Sequence, residues 1–337
     1  MSPSRARTEQ RRALVGWDGV RFTVPEDWNV TSVSAGRGDG YIKVDSPGSM
    51  FLQVKWSDPD RERPRTLIGM VISGVQRLRN TGAEPPKVPP LRQILEPFLK
   101  DTEKRARKPH GVFQCKVKPE TSEAGGERTV LHFGWPGPGK GQGKIWYCRG
   151  CRRTVIAQVV GQADDPVADA AAAIFSDMRD HSEDGWTTWG VFDLVVGVPG
   201  TMKLLGHQFM SGYLKLEFAR AGQGRVIVER WGLANVARKR FTIREWLETT
   251  VGAAAYRPQY ADVVLNEHEG CIARGNLRGL QRIHAWREAL PTIRPALNYE
   301  ACAWECPQSN RLYALQTWRP KSAVSIMGDL VARCECH

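Results

Sequence analysis

The sequence predicts an α+β protein built as two tandem copies of one unit, each an antiparallel sheet with helices packed on it. Three observations carry that expectation. An ordered series of segments recurs in the two halves, short alternating apolar runs are punctuated by turn residues, and stretches of helical periodicity follow in the same order.

In the first half Gly16-Trp17-Asp18-Gly19-Val20 leads into RFTVPEDWNV and then GYIKVDSPGSMFLQVKW, which ends at Trp56. In the second half Trp189-Gly190-Val191 leads into FDLVVGVPGTMKL and then GYLKLEFARAGQGRVIVERW, which ends at Trp231. Each reads as a strand closed by Val-Pro, a Gly-Tyr-apolar-Lys-apolar strand, a turn, and an alternating strand closed by Trp. Tyr41 matches Tyr213 and Trp56 matches Trp231. Apolar residues three and four apart predict helices over 67–78 (LIGMVISGVQRL) and 241–251 (FTIREWLETTV). The proline-rich stretch 82–97 reads as an irregular connection with one short helix around 91–99. His110 and Cys115 match His268 and Cys271, and His132 matches His284.

IWYCRGCRRTVIAQ, from Ile145, then aligns without gaps with AWECPQSNRLYALQ, from Ala303, pairing Cys148 with Cys306 and Trp146 with Trp304. A helix closes each copy, over 166–179 and 323–333, with Asp164-Asp165 read as the cap of the first. The expected organisation is a basic disordered tail over 1–12, a first repeat over 13–181, a junction at 182–184, and a second repeat over 186–337. Both helices of a copy are expected on one face of its sheet.

The opening GVRFTVPEDWNV, followed by strand pairs and a helix, resembles the start of PsbP-like proteins, an αβα sandwich family. The resemblance covers about the first third of each copy. It implies a fold that serves binding and assembly more than catalysis, and it transfers no functional residues.

At 337 residues and 41% hydrophobic content the chain can bury two ordinary cores. No apolar run reaches the roughly twenty residues of a membrane helix. The polar, basic start has no secretory apolar region behind it, so a cytoplasmic protein without a membrane partner is expected. Its eight cysteines then read as thiols or metal ligands, not disulfides. The 48 Lys+Arg against 36 Asp+Glu give a net charge of +12. That excess points to an anionic partner, nucleic acid or an acidic protein. Charge is dense only in KDTEKRARK (100–108) and at 238–240. Lys104, Arg105, Arg107, Arg238, Lys239 and Arg240 are therefore the nucleic-acid candidates, with a plain solvated face as the alternative.

Cys148-Arg149-Gly150-Cys151 sits between two strand-like runs, where a tight glycine turn lets two sulfurs converge on one ion, zinc being the expected metal. Plain structural cysteines and a redox pair are the other readings. The redox pair lacks the following helix whose N-terminus would lower a thiol pKa. Further ligands in this half would come from His110, Cys115, His132 or His181. In the second half Cys302, Cys306, Cys334 and Cys336 could form a closed four-thiolate site, with His337 beside them. A frayed tail is the alternative reading. Cys115 and Cys271 read as small buried apolar residues.

Gly137-Pro138-Gly139-Lys140-Gly141-Gln142-Gly143-Lys144 fails as a phosphate loop. Pro138 replaces the first glycine, Ile145 replaces the Ser or Thr, and a strand follows where a helix is required. It reads as a hairpin loop. Glu267-His268-Glu269 is a possible metal or base cluster, with an exposed polar turn as the simpler reading. With no catalytic constellation present, the expected function is a non-enzymatic, metal-stabilised tandem binding or assembly module. The alternative is a metal-dependent enzyme with an open site formed by Cys148 and Cys151 with His132 or His181.

Overall fold

Turn chemistry sets the hairpin that opens each unit. Strands β1 (Arg12–Trp17) and β2 (Val20–Pro25) are joined by Asp18 and Gly19, at φ 51° and 90°. Two successive residues at positive φ give the tight turn whose twist matches paired antiparallel strands. The computed structural model describes residues 11–36, 39–57, 88–110, 114–123, 125–182, 184–220, 222, 224–251, 254–277 and 297–337, excluding the side chains of 105–110. The chain divides into two compact units, Met1–His181 and Ser182–His337.

In the first unit β3 (Asn29–Ala35), β4 (Asp39–Asp45), β5 (Phe51–Ser57), α1 (Leu91–His110), β6 (Lys116–Val117), β7 (Thr121–Ser122), β8 (Arg128–Trp135), β9 (Gly141–Cys148), β10 (Thr154–Val160) and α2 (Val167–Asp177) follow in order. The antiparallel sheet runs β3-β4-β5-β10-β9-β8-β6, with β7 pairing β8. Leu91 and Leu95 of α1 pack with Leu131, Phe133, Ile145 and Tyr147. Side chains alternate across a strand, so Lys144 and Trp146 face the other way. There Lys144 Nζ donates to the carbonyl of Phe175 in α2 at 3.2 Å.

Of the pair expected on one face, the helix over 67–78 lies outside the described residues; α1 and α2 cover opposite faces of the sheet. The reason lies in β9 and β10, whose apolar runs IWYC and TVIAQVV leave both faces in need of cover. Strand glycines are set against aromatic partners: Gly40 opposite Trp56, Gly141 opposite Trp135, and Gly143 opposite Phe133. A Cβ on these glycines would stand 2.1, 2.2 and 2.3 Å from the facing ring.

In the second unit β11 (Trp186–Val191) and β12 (Leu194–Pro199) turn through Phe192 and Asp193, at φ 49° and 62°. Next come β13 (Lys203–Met210), β14 (Tyr213–Arg220), β15 (Gly224–Gly232), α3 (Ala234–Ala237), α4 (Ile243–Thr250), β16 (Gln259–Leu265), β17 (His268–Asn276), β18 (Asn298–Cys306), β19 (Arg311–Arg319), α5 (Met327–Ala332) and β20 (Cys334–Glu335). The antiparallel sheet runs β13-β14-β15-β19-β18-β17-β16, and β20 pairs with β12. A reciprocal cap starts α4: Thr242 Oγ1 accepts from the Glu245 amide at 3.2 Å, and the Glu245 carboxylate accepts from the Thr242 amide at 2.7 Å. Ile243, Trp246 and Leu247 then bury against Cys271, Ala273, Tyr299, Ala301, Ala303 and Ala314. On the opposite face Cys302 Sγ lies 3.5 Å from Met327 Sδ of α5.

Register corrects several sequence matches. Trp56 stands opposite Val155, itself opposite Trp146, on the α2 face, whereas Trp231 stands opposite Leu312 in the α4 cluster. The two tryptophans lie on opposite faces of their sheets and are not equivalent. Cys271 lies within β17, Cys115 precedes β6 and His110 ends α1, so those pairs fail as well. The helix expected around 91–99 runs on to His110, and the one expected over 323–333 is confined to Met327–Ala332. Asp165 does not cap α2; its carboxylate accepts from the Gln162 amide at 2.6 Å and from Ser49. Arg12, expected in the tail, belongs to β1, while 1–10, the helix over 67–78 and His284 lie outside the described residues. Gly137 and Gly139, at φ 104° and 72°, make the turn between β8 and β9.

Gly40→Ala is expected to push the Trp56 ring from its place and to destabilise the protein by about 1–3 kcal/mol in urea unfolding. Val264→Ala, at a side chain 76% exposed, is expected to change stability by less than about 0.5 kcal/mol.

Candidate metal centres

Cys148 closes β9, and Arg128, the first residue of β8, stands directly opposite it. The chain turns through Arg149-Gly150-Cys151-Arg152, with Arg152 at φ 62°, and the Cys148 amide donates to the Arg153 carbonyl at 3.0 Å. Gly150 leaves room for this: a Cβ there would stand 2.9 Å from Glu127 Oε1 and 3.7 Å from Cys148 Sγ. After α2 the chain returns to β2, where Arg179 and Arg21 exchange backbone hydrogen bonds of 2.8 and 2.9 Å. That bridge delivers the next two residues, Asp180 and His181, to the end of β9.

Cys148, Cys151, Asp180 and His181 bring one donor atom each within 4.8 Å of one another. Cys148 Sγ is 3.6 Å from His181 Nδ1, Cys151 Sγ is 3.7 Å from Asp180 Oδ2, and His181 Nδ1 is 3.1 Å from Asp180 Oδ1. A tetrahedral zinc ion with bonds of about 2.3 Å to sulfur and 2.0–2.1 Å to nitrogen implies ligand-to-ligand edges of about 3.5 Å. The sulfur edges match that spacing. Asp180 is fully buried, with Oδ1 paired to Arg128 at 2.6 Å and Oδ2 accepting from Trp146 Nε1 at 2.9 Å. Burial alone would raise its pKa, but Arg128 and the Trp146 hydrogen bond outweigh it and hold the carboxyl below its ordinary value. The hydrogen bond from the Cys151 thiol brings Cys148 down to about 6 against the effect of burial, and Cys151 is pushed up as the proton holder. Glu127 flanks the group, its Oε1 3.4 Å from His181 Nε2.

The second unit builds its group from the same kinds of element. Asn266 and Glu267, at φ 47° and 64°, turn β16 into β17 and place His268 at its first position. Gly270 stands opposite Trp304. Two residues further on, His268 and Cys306 share that face. After α5, β20 pairs with β12 and leads to Cys336 and His337. Cys336 Sγ lies 3.3 Å from His268 Nε2 and 3.3 Å from His337 Nδ1, and Cys306 Sγ lies 3.6 Å from His337 Nδ1. These are again tetrahedral edges, now from two sulfurs and two imidazoles. Burial, helped by Cys306, pushes the Cys336 thiol up to about 11, so an entering metal ion must displace its proton.

Of the residues singled out from sequence, Cys148, Cys151 and His181 come together, and so do Cys306, Cys336 and His337. Cys302 does not join them. It lies four residues from Cys306 along β18, about 13 Å at strand spacing, and is buried against Met327. Cys334 is buried outside the group, with its thiol pKa raised by burial. His132 is exposed, four residues along β8 from Arg128, a similar distance away. Cys115 is half-buried away from the group, and the His110 side chain lies outside the described residues. Lys104 is exposed on α1, the Arg105 and Arg107 side chains lie outside the described residues, and Lys239 and Arg240 are exposed after α3. Arg238 is committed to Glu305 at 2.8 Å and Glu269 at 3.1 Å.

Sequence reading missed Asp180, and it preferred an exposed turn to a metal cluster for Glu267-His268-Glu269, although His268 is half-buried. A usable signal was present. Asp180-His181 and Cys336-His337 each follow the last helix of their unit at nearly the same spacing.

Arg128→Met leaves the buried Asp180 carboxylate without its ionic partner. It is expected to cost about 3–5 kcal/mol in urea unfolding of metal-free protein, and Arg128→Lys is expected to recover part of that loss.

No family model and no curated protein matches the chain. Among solved structures it is similar to the solution structure of cyanobacterial PsbP (CyanoP) from Synechocystis sp. PCC 6803. The match has 14% identity, covers 53% of this chain and 98% of that one, and has a TM-score of 0.32. The likeness is one of fold, and weak.

Proposed function

We propose that the chain is a non-enzymatic tandem module that holds one zinc ion in each of two copies of a folding unit and serves binding or assembly. The observation that carries this reading is the spacing of donors. Thiolate and imidazole atoms sit 3.3–3.6 Å apart at the corresponding end of a central strand in each unit. Mixed sulfur and nitrogen donors at tetrahedral spacing suit zinc, which brings no redox chemistry of its own. In the second unit the four donors Cys306, Cys336, His268 and His337 fill a tetrahedron and leave no position for a reacting water. The role there is structural, and the binding free energy of the ion adds to that of folding.

The copy reading is supported by the strand orders. Three strands joined in sequence and then the last three long strands in reverse order make the same path, β3-β4-β5-β10-β9-β8 and β13-β14-β15-β19-β18-β17, and each last helix is followed by a short bridge to the opening hairpin. For the partner, the net charge of +12 favours an anionic one, nucleic acid foremost. Among the described residues no helix is long and apolar enough to cross a membrane.

Native mass spectrometry of the full chain is expected to show two zinc ions, both removed by a strong chelator with a fall in melting temperature. Cys148→Ser and Cys306→Ser are each expected to lose one ion and keep the other. A chain that carries no metal, or whose stability ignores chelation, contradicts the proposal. Affinity for single- or double-stranded nucleic acid is expected to fall with salt, by a slope of about −0.7 to −0.9 per phosphate contact in a log–log plot. Negligible binding at low salt would shift the partner to an acidic protein.

A further inference from the structure

The two centres differ at one structural position. In the second, the residue sharing the strand-end position with Cys306 is His268, itself a donor. In the first, the residue opposite Cys148 is Arg128, which donates nothing to a metal and is bound to Asp180. Both carboxylate oxygens of Asp180 have partners of their own, Arg128 on Oδ1 at 2.6 Å and Trp146 on Oδ2 at 2.9 Å. If Asp180 leaves a metal ion, its buried charge stays paired, so the large penalty of an orphaned buried charge does not arise. At the second centre a departing Cys336 would leave a thiolate only 7% exposed.

Both centres reach solvent, the first through the half-buried Cys151 and His181 and the second through the exposed His337, so it is the preformed partners of Asp180 that set the first apart. Glu127, its side chain 55% exposed, stands beside His181.

We infer that the first centre is a ligand-exchange site: a metal ion held by Cys148, Cys151 and His181 takes a small anionic donor in the position Asp180 otherwise fills. The displaced carboxylate stays on Arg128 and Trp146, while the second centre keeps its two thiolates and two imidazoles. This rests on the metal reading given above. No bond other than the coordination bond changes, and the ion keeps its charge.

The test is an azide titration of the full-length chain loaded with cobalt(II), followed by its visible d–d absorption. Two cobalt ions per chain are expected, with azide changing the spectrum of one. His268→Gln should keep the azide response, and Cys148→Ser should abolish it. Asp180→Asn should still bind cobalt at the first centre and take azide at least tenfold more tightly, because the competing carboxylate is gone. Two bound cobalt ions with no azide response, or a response that survives Cys148→Ser, overturns the inference and leaves the metal reading standing. Absence of cobalt from the first centre sinks both, and the cobalt count tells the two failures apart.

Discussion

Each candidate centre depends on the chain returning, after the last helix of its unit, to the opening hairpin. In the first unit the Arg179–Arg21 bridge fixes that return, and in the second β20 does so against β12. The following dipeptide, Asp180-His181 or Cys336-His337, is thereby held at the end of a central strand, beside Cys148 or Cys306. Donors up to 69 residues apart in sequence, His268 and His337, meet because the sheet register and this bridge leave them nowhere else to be. Local turns complete each group: the glycine knuckle after Cys148, and the left-handed pair Asn266-Glu267 before His268.

Charge accounts for the differences between the groups. Two thiolates and two imidazoles around a divalent ion sum to zero, and the second group needs no counter-ion. Two thiolates, one carboxylate and one imidazole leave one negative charge in excess. Arg128 supplies the opposite charge from the strand position beside Cys148. A buried charge is tolerated when it is paired and hydrogen-bonded, and Asp180 is both. Arg153 adds to the frame, reaching the Asp180 carbonyl at 3.3 Å and Asp18 in the first hairpin turn at 3.2 Å.

Strands and turns were legible in the sequence because alternation and positive-φ residues are local signals. LVVGVP and GYIKVD both read as they fold. The Cys-x-x-Cys knuckle was legible for the same reason. Register was not, because matching by residue identity aligned Trp56 with Trp231, which face opposite sides of their sheets. The placement of α4 and α5 on opposite faces also went against expectation, since covering one face is adequate only when the strands alternate, and β18 and β19 are buried on both faces. In the candidate centres the cysteines drew attention by number. Cys302 and Cys334 were grouped with Cys306 and Cys336, although four residues of strand separate Cys302 from Cys306 by about 13 Å. Asp180 went unread, and His268 was weighed as a metal cluster with its neighbouring glutamates without its thiol partners, because neither residue has a settled meaning until long-range pairing brings thiols to it.

Zinc K-edge X-ray absorption of the purified protein tests the account most directly, because it reports the donor atoms themselves. Averaged over both ions, it should give two sulfurs per zinc at about 2.3 Å and two lighter donors at about 2.0–2.1 Å. Four sulfurs on any ion, or zinc surrounded by oxygen and nitrogen alone, would contradict it.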